Sequence, residues 1–280
     1  MKTGLISGSI TVDFMEKRFY SFCAELQYQG LYVWQNSING GVSLLVNGYS
    51  KIIIYRKTAT ASTYLMRALN GVYATTPVSG IDLSANVFNT EYPNAVRYIL
   101  DNYSDENFTF ITTVRDPRTR HLSQFFKNLF NEEIKSPVSG EMIKNPFLTD
   151  KKYNLAWWSE VFRKANLEFC CKYDRIIEDS YQELLGLETH FDYQKKYSFS
   201  ENNRFRLLVI RQEDISLWQG ILHKVIGFKI TLPGTKVNSM EEKSYAHIYR
   251  HFCNNYRFSD YEKEVMAALN TTQSYYRGGS

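Results

Sequence analysis

The 280-residue chain is poor in the features that most readily identify a protein. Its four cysteines, Cys23, Cys170, Cys171 and Cys253, form no C-x-x-C pair and no Cys/His set with zinc-like spacing, so no metal centre is expected. Adjacent Cys170 and Cys171 read as reduced thiols rather than a disulfide framework, which points to a cytosolic compartment. No stretch approaches the ~20 apolar residues of a membrane helix. Residues 1–14 also lack the apolar run of a signal peptide. The expectation is a soluble, cytoplasmic protein with no transmembrane segment. Proline and glycine nowhere concentrate into a linker, and no internal repeat is visible. Charge of one sign is scarce too: 33 basic against 29 acidic residues leave a net +4. That bias is too weak for a nucleic-acid partner, which calls for a dense basic stripe, yet it permits a local basic pocket for an anionic ligand.

What is present is a hydrophobic fraction of 44%, ordinary for a globular protein, with 21 Tyr and 18 Phe. Tyrosines in such number finish the edges of a core or line surfaces that meet rings and sugars. Three short apolar runs read as buried strands: Lys51-Ile-Ile-Ile-Tyr-Arg56, Phe108-Thr-Phe-Ile-Thr-Thr-Val114 and Phe205-Arg-Leu-Leu-Val-Ile210. Each precedes a helical pattern. Leu65, Met66 and Leu69 recur at helical spacing over 63–70. Leu122, Phe125, Phe126 and Leu129 do so over 118–130, and a third helix is expected over 215–225. Asp116 and Pro117 suit the cap and first position of the second of these helices. Further helices are expected over 14–26, 155–167 and 241–269, a short strand over 42–46, and a hairpin or loop over 192–204. Alternating strands and helices define an α/β domain with a mainly parallel sheet. It is expected to occupy 48–280, with 1–47 unassigned and a helix-rich insertion over 131–203.

Two of the strand-to-helix junctions carry chemistry. In the first, Lys57-Thr-Ala-Thr-Ala-Ser62, followed by Thr63, joins a buried strand to a helix. A helix start presents unpaired N–H groups and partial positive charge. Small residues allow an anion to approach the backbone, Thr58, Thr60, Ser62 and Thr63 add hydroxyls, and Lys57 adds a full charge. A lysine at a strand end before an ordinary helix accounts for the same residues. The loop is not the nucleotide-binding G-x-x-x-x-G-K-[ST], since both glycines are missing and the lysine comes first. In the second junction, Arg115-Asp-Pro-Arg-Thr-Arg-His-Leu-Ser123, a guanidinium at a strand end can grip a phosphate through two N–H bonds. Ser123, two turns into the next helix, can donate its hydroxyl toward the same group.

These two segments, in this order, resemble the donor-binding motifs of sulfotransferases that use 3′-phosphoadenosine 5′-phosphosulfate (PAPS). The first is similar to the family's 5′-phosphosulfate loop, with Lys57, Thr58, Ala59, Thr60, Ala61, Ser62 and Thr63 in the matching positions. It departs from the pattern at Ala59, where many members carry glycine. The second is similar to the 3′-phosphate segment, with Arg115 and Ser123 matching. At lower specificity, the stretch Leu207-Leu-Val-Ile-Arg-Gln-Glu-Asp214 and the pair Trp157-Trp158 resemble carbohydrate sulfotransferases and bacterial capsular polysaccharide synthesis proteins. The resemblance spans roughly residues 48–276. It implies a three-layer, P-loop-like sulfotransferase fold, PAPS as co-substrate, adenosine 3′,5′-bisphosphate (PAP) as product, a hydroxyl-bearing acceptor such as a glycan, and no metal.

The resemblance further implies that Lys57 stabilises charge on the leaving oxygen, and that a histidine or glutamate near the two motifs serves as base. Between Gly71 and Phe108 there is no histidine. Glu91 and Asp82 are the first candidates there, and His190 is the other. The region 131–203 is longer than the core requires and is expected to help form the acceptor cleft. Three rival readings remain: a nucleotide-dependent kinase, a capsule-related glycosyltransferase and a non-catalytic PAP-binding module. The first lacks a Walker lysine. The second would often show a D-x-D triplet, which does not occur here. The third would bind PAP without transferring sulfate.

Overall fold

The protein's structure, a computed structural model, describes residues 32–36, 51–55, 60–68, 74–77, 87–90, 93–129, 133–135, 142–144, 181, 183–227, 232, 243, 246–269 and 275–276. Over these it is a mixed α/β protein. Nine strands are present among the described residues: β1 (Tyr32–Asn36), β2 (Lys51–Tyr55), β3 (Ala74–Pro77), β4 (Val87–Thr90), β5 (Phe108–Val114), β6 (Glu133–Lys135), β7 (Met142–Lys144), β8 (Tyr197–Glu201) and β9 (Phe205–Arg211). The helices are α1 (Ser62–Ala68), α2 (Pro93–Asn102), α3 (Pro117–Leu129), α4 (Trp218–Ile226), α5 (Ala246–Asn255) and α6 (Asp260–Leu269).

Seven strands form one open sheet in the order β3-β1-β4-β2-β5-β9-β8. Its centre, β4-β2-β5-β9, is parallel; at the flanks β8 runs antiparallel to β9, and β1 runs antiparallel to both β4 and β3, so that β3 shares the direction of the central strands. The two innermost strands β2 and β5 are buried at every residue, β2 through consecutive isoleucines and β5 with three β-branched threonines among its apolar residues. Alternate residues divide between two cores. Ile53, Tyr55, Phe88, Phe110 and Val209 pack with Val96 and Ile99 of α2 on one face. Ile52, Ile54, Ile111 and Ile210 pack with Leu65 and Met66 of α1 and with Trp218 and Leu222 of α4 on the other. Helices therefore cover both faces. Phe110 is fully buried between aromatic neighbours, its ring 5.9 Å from that of Phe205. Truncation of such a ring typically costs about 3–5 kcal/mol.

The three expected central strands are all present, with β2 ending at Tyr55 and β9 extending to Arg211. Pro117 opens α3 as expected, and Asp116 caps it: Oδ1 accepts the Thr119 N–H at 3.0 Å. Other expectations need correction. The single helix over 241–269 is two helices, because Ser259 and Glu262 form a capping box that starts a new one. The Ser259 N–H donates to Glu262 Oε2 at 2.7 Å, and the Glu262 N–H donates to Ser259 Oγ at 3.2 Å. The helix expected from Ile215 begins as a 3₁₀ segment, Gln212–Leu217, before α4 takes over. Gly227, at φ 76°, stops α4 with its N–H bonded to the His223 carbonyl.

The insertion over 131–203, expected to be helix-rich, contains among its described residues the β6–β7 ribbon, helical residues at 181 and 183–185, and β8, an edge strand of the main sheet. The polar stretch 192–204 is thus resolved into a turn held by the Asp192 side chain, then β8, then a tight turn into β9 organised by Asn202. β1 lies before residue 48, so the sheet draws on the segment left unassigned. The expectations for 14–26, 42–46 and 155–167 lie outside the described residues. Among the described residues no helix is long and apolar enough to cross a membrane.

Candidate anion-binding site

Because β2, β4, β5 and β9 are parallel, their C-terminal ends share one edge of the sheet. Both chemistry-bearing junctions leave from that edge, from strands about 4.8 Å apart. In open α/β sheets this edge is where ligands settle.

At the end of β2, Lys57, Thr58 and Ala59 lie outside the described residues. Thr60, Ala61, Ser62 and Thr63 are described, and they bring the chain into α1. Ala61 stands at φ 62°, a left-handed conformation that alanine seldom adopts. Its carbonyl accepts the Tyr64 N–H at 2.9 Å and the Leu65 N–H at 3.3 Å, so this strained residue closes the first turn of the helix. Thr60 and Ser62 are buried, while Thr63 is half-buried.

The link to the second junction is direct. Thr60 Oγ1 lies 2.8 Å from Thr113 Oγ1, and both residues are fully buried. Thr113 is the second-last residue of β5, two before Arg115. A hydroxyl pair therefore fixes the start of α1 against the strand end that presents Arg115. Two hydroxyls bonded to each other in a closed interior satisfy groups that would each be costly alone.

Arg115 is half-buried at the mouth of β5. Ser123, on the buried side of α3, places Oγ 2.8 Å from the hydroxyl of Tyr249 on α5. The Tyr249 ring is held by edge-on contact with Phe126, centroids 5.5 Å apart. Burial pushes the Tyr249 hydroxyl above its ordinary pKa, against the pull of the Ser123 hydrogen bond and the Arg115 charge. Burial likewise pushes up the Cys253 thiol, one turn further along α5, while its bond with Tyr249 and the Arg115 charge act in the opposite sense. The Ser123–Tyr249 contact, with the Cys253 thiol beside it, joins α3 to α5.

The end of β9 supplies a counterweight. Glu213 Oε1 accepts the Asp116 N–H at 3.0 Å, and its Oε2 accepts the Tyr276 hydroxyl at 2.7 Å. Burial first, then the Glu213 charge and hydrogen bond, drive the Tyr276 hydroxyl strongly upward in pKa, so it stays protonated and donating. Arg211 Nε donates to Asp214 Oδ2 at 2.6 Å, and its guanidinium lies over the rings of Phe191 and Tyr276. These contacts tie the turn after β5, the 3₁₀ segment after β9 and the Tyr275–Tyr276 pair together, and thereby fix the backbone that carries Arg115.

Of the candidate bases, Glu91 and Asp82 lie outside the described residues. His190 points to solvent with its side chain 86% exposed, Nε2 being 3.4 Å from Glu188 Oε2. Its neighbours Thr189 and Phe191 face inward to Tyr275. The structure thus joins Thr60 to Thr113 at the β5 end and Ser123 to Tyr249, and leaves the His190 side chain in solvent. Tyr249 and Glu213 were not among the sequence candidates. Tyr249 sits in an aromatic-rich stretch where nothing in the spacing distinguishes it from core tyrosines. Glu213 is visible only as one of two acids after a strand. Among the described residues no cluster of His, Cys, Asp and Glu could hold a metal ion. Comparison with protein-family models, with curated proteins and with solved structures yields no match to this chain.

Proposed function

We propose that this protein is a PAPS-dependent sulfotransferase of P-loop-like fold, moving a sulfuryl group to a hydroxyl of a carbohydrate acceptor. The observation that carries the reading is the Thr60–Thr113 contact at the shared end of β2 and β5. It joins two junctions whose residue types suit two separate anions, the first rich in hydroxyls and preceded by Lys57, the second built on Arg115. A donor with phosphates at both the 5′ and 3′ positions of one ribose matches two anion sites on neighbouring strands. In the reaction, the acceptor oxygen attacks sulfur as the bond from sulfur to the 5′-phosphate oxygen breaks. The acceptor proton passes to a base, for which Glu91 and then Asp82 are the candidates. PAP departs with the negative charge on the former bridging oxygen, where Lys57 supplies the compensating charge. Positioning and charge stabilisation carry such transfers, and no metal is needed for them. The residues of 131–203 are proposed to border the acceptor.

The test is calorimetric titration of PAP into wild type, Lys57→Ala and Arg115→Ala with chelator present. Binding to wild type that Arg115→Ala weakens by roughly 10–100-fold, the loss expected for hydrogen bonds to a charged group, supports the donor site and leads to an acceptor screen with PAPS and glycans. Wild type that fails to bind PAP rules the reading out.

A further inference from the structure

The ladder between β5 and β9 stops at Val114↔Arg211, one residue short of Arg115. Beyond it a side chain takes over. The Asp116 N–H belongs to the peptide plane that follows Arg115, and it donates to Glu213 Oε1 at 3.0 Å. A peptide plane is rigid, so this bond fixes the rotation of Arg115 about its Cα–C bond, while the ladder holds the chain up to Val114. On the far side Asp116 is held as the cap of α3. Its carbonyl accepts the Arg120 N–H at 2.9 Å, and its Oδ1 accepts the Thr119 N–H at 3.0 Å. Arg115 is thus set between a fixed strand and a fixed helix, and its angle hangs on Glu213.

Glu213 is itself held, for its Oε2 accepts the Tyr276 hydroxyl at 2.7 Å. The segment 275–276 has anchors of its own. Tyr275 is buried, with its hydroxyl 2.7 Å from Thr189 Oγ1 and its carbonyl 3.4 Å from Arg211 Nη1. The Tyr276 ring lies against the Arg211 guanidinium, so its phenol reaches Glu213 from a fixed base. A carboxylate bonded to the residue after Arg115 repels any anion that Arg115 attracts. Charge alone would therefore make Glu213 a hindrance to binding. Its two directional bonds supply a positional role that offsets this, since hydrogen bonds to an ionised acceptor are about twice as strong as neutral ones.

We propose that Glu213 is a positioning residue of the Arg115 junction and that Tyr276 is its lock: through Glu213, the segment 275–276 sets the backbone angle at which Arg115 meets a phosphate. This rests on the donor-site reading above. It makes the site depend on a segment remote in sequence, which neither strand-to-helix junction discloses.

The test has a ligand-free arm and a ligand arm, both on the full chain. Amide exchange followed by NMR reads the Asp116 N–H in wild type, Tyr276→Phe, Glu213→Ala and Glu213→Gln. Calorimetry then titrates PAP and adenosine 5′-phosphate, which lacks the 3′-phosphate, and thermal unfolding confirms that each variant is folded. Glutamine keeps Oε1 as the acceptor for the Asp116 N–H, and its amide can donate to the Tyr276 oxygen, so it restores position without charge. Asp116 exchange is expected to be roughly 10-fold faster in Glu213→Ala, and PAP affinity roughly 10-fold weaker, the worth of one hydrogen bond to a charged group. Tyr276→Phe shifts both in the same sense by roughly 2–10-fold, and Glu213→Gln stays within about twofold of wild type. Affinity for the 5′-phosphate is unchanged throughout. Tyr276→Phe keeps the ring against Arg211 and carries the test if Glu213→Ala does not fold. Unchanged Asp116 exchange in Glu213→Ala or Tyr276→Phe overturns the lock whether or not PAP binds. PAP affinity that is unchanged or raised in Glu213→Ala overturns the proposal while leaving the donor site standing. A loss in Glu213→Gln equal to that in Glu213→Ala, or equal losses for both nucleotides, overturn it as well. Wild type that does not bind PAP removes the donor-site reading, and the positioning role falls with it.

Discussion

The joint between the two junctions can be tested without any ligand. Thr60 and Thr113 are fully buried and their hydroxyls lie 2.8 Å apart. Valine keeps the β-branched shape at either position and deletes only the hydroxyl. Thr60→Val leaves the Thr113 hydroxyl buried without this partner, a loss of about 2 kcal/mol for an abandoned polar group. Thr113→Val costs less, about 1 kcal/mol, because Thr60 keeps further interactions. In the double variant both hydroxyls are gone, so the expected loss is about 2 kcal/mol rather than the additive 3 or so, a coupling of about 1 kcal/mol. Urea unfolding of the four proteins measures it, provided the denaturant slope is constant across them. Additivity within about 0.3–0.5 kcal/mol, the behaviour of independent sites, refutes the claim that this bond joins the start of α1 to the end of β5. It would also remove the observation on which the functional proposal stands.

Three further outcomes are expected. Ala61→Val should destabilise by about 1–2 kcal/mol, since a β-branched residue resists the φ of 62° that Ala61 holds, whereas Ala61→Gly should be near neutral; thermal unfolding midpoints report both. Asp214→Asn weakens the ion pair with Arg211, whose side chains are only 13% and 14% exposed; a stability loss of roughly 1–3 kcal/mol by urea unfolding is expected, and no change would show that the 3₁₀ segment does not depend on it. Asp192 is held below its ordinary pKa of 3.8, first by its hydrogen bond with the Lys195 side chain and then by the Lys195 N–H. Since the folded value is the lower one, its contribution is full above the unfolded value and vanishes as pH falls through the folded value. Wild type should therefore lose more stability than Asp192→Asn between neutral pH and about pH 3, and equal losses would contradict the assignment.

The central strands were legible because a strand buried on both faces shows little polar alternation: Ile52, Ile53 and Ile54 are consecutive apolar residues, and from Phe108 to Val114 every residue is apolar, aromatic or a β-branched threonine. The flanking strands carry no such mark. Ala74-Thr-Thr-Pro77 has no apolar run, and Tyr197-Ser-Phe-Ser-Glu201 alternates within a polar stretch, as an edge strand with one covered face does. The candidate site was half legible. Arg115 and the hydroxyl-rich loop announce themselves by position at strand ends. The partners of Ser123 and Asp116 do not, because Tyr249 and Glu213 reach them across 126 and 97 residues of sequence, and only tertiary packing makes those contacts.

The pairing of β5 with β9 has a consequence for how this protein can vary. The two strands are neighbours in register from Phe108↔Phe205 to Val114↔Arg211, yet roughly 90 residues separate the end of one from the start of the other. The entropy of closing a loop grows only with the logarithm of its length, so halving or doubling that connection changes stability by about 0.6 kcal/mol. Through β8 the connection rejoins the sheet just before β9 begins, and α3 anchors its other end. Within that connection Tyr181, Leu185 and Leu187 belong to the core, and Tyr181 bonds Thr112 of β5, so the low entropic cost of resizing applies to the chain outside them. A lineage can then refit whatever surface that chain forms while the edge bearing Arg115 and Thr113 stays as it is.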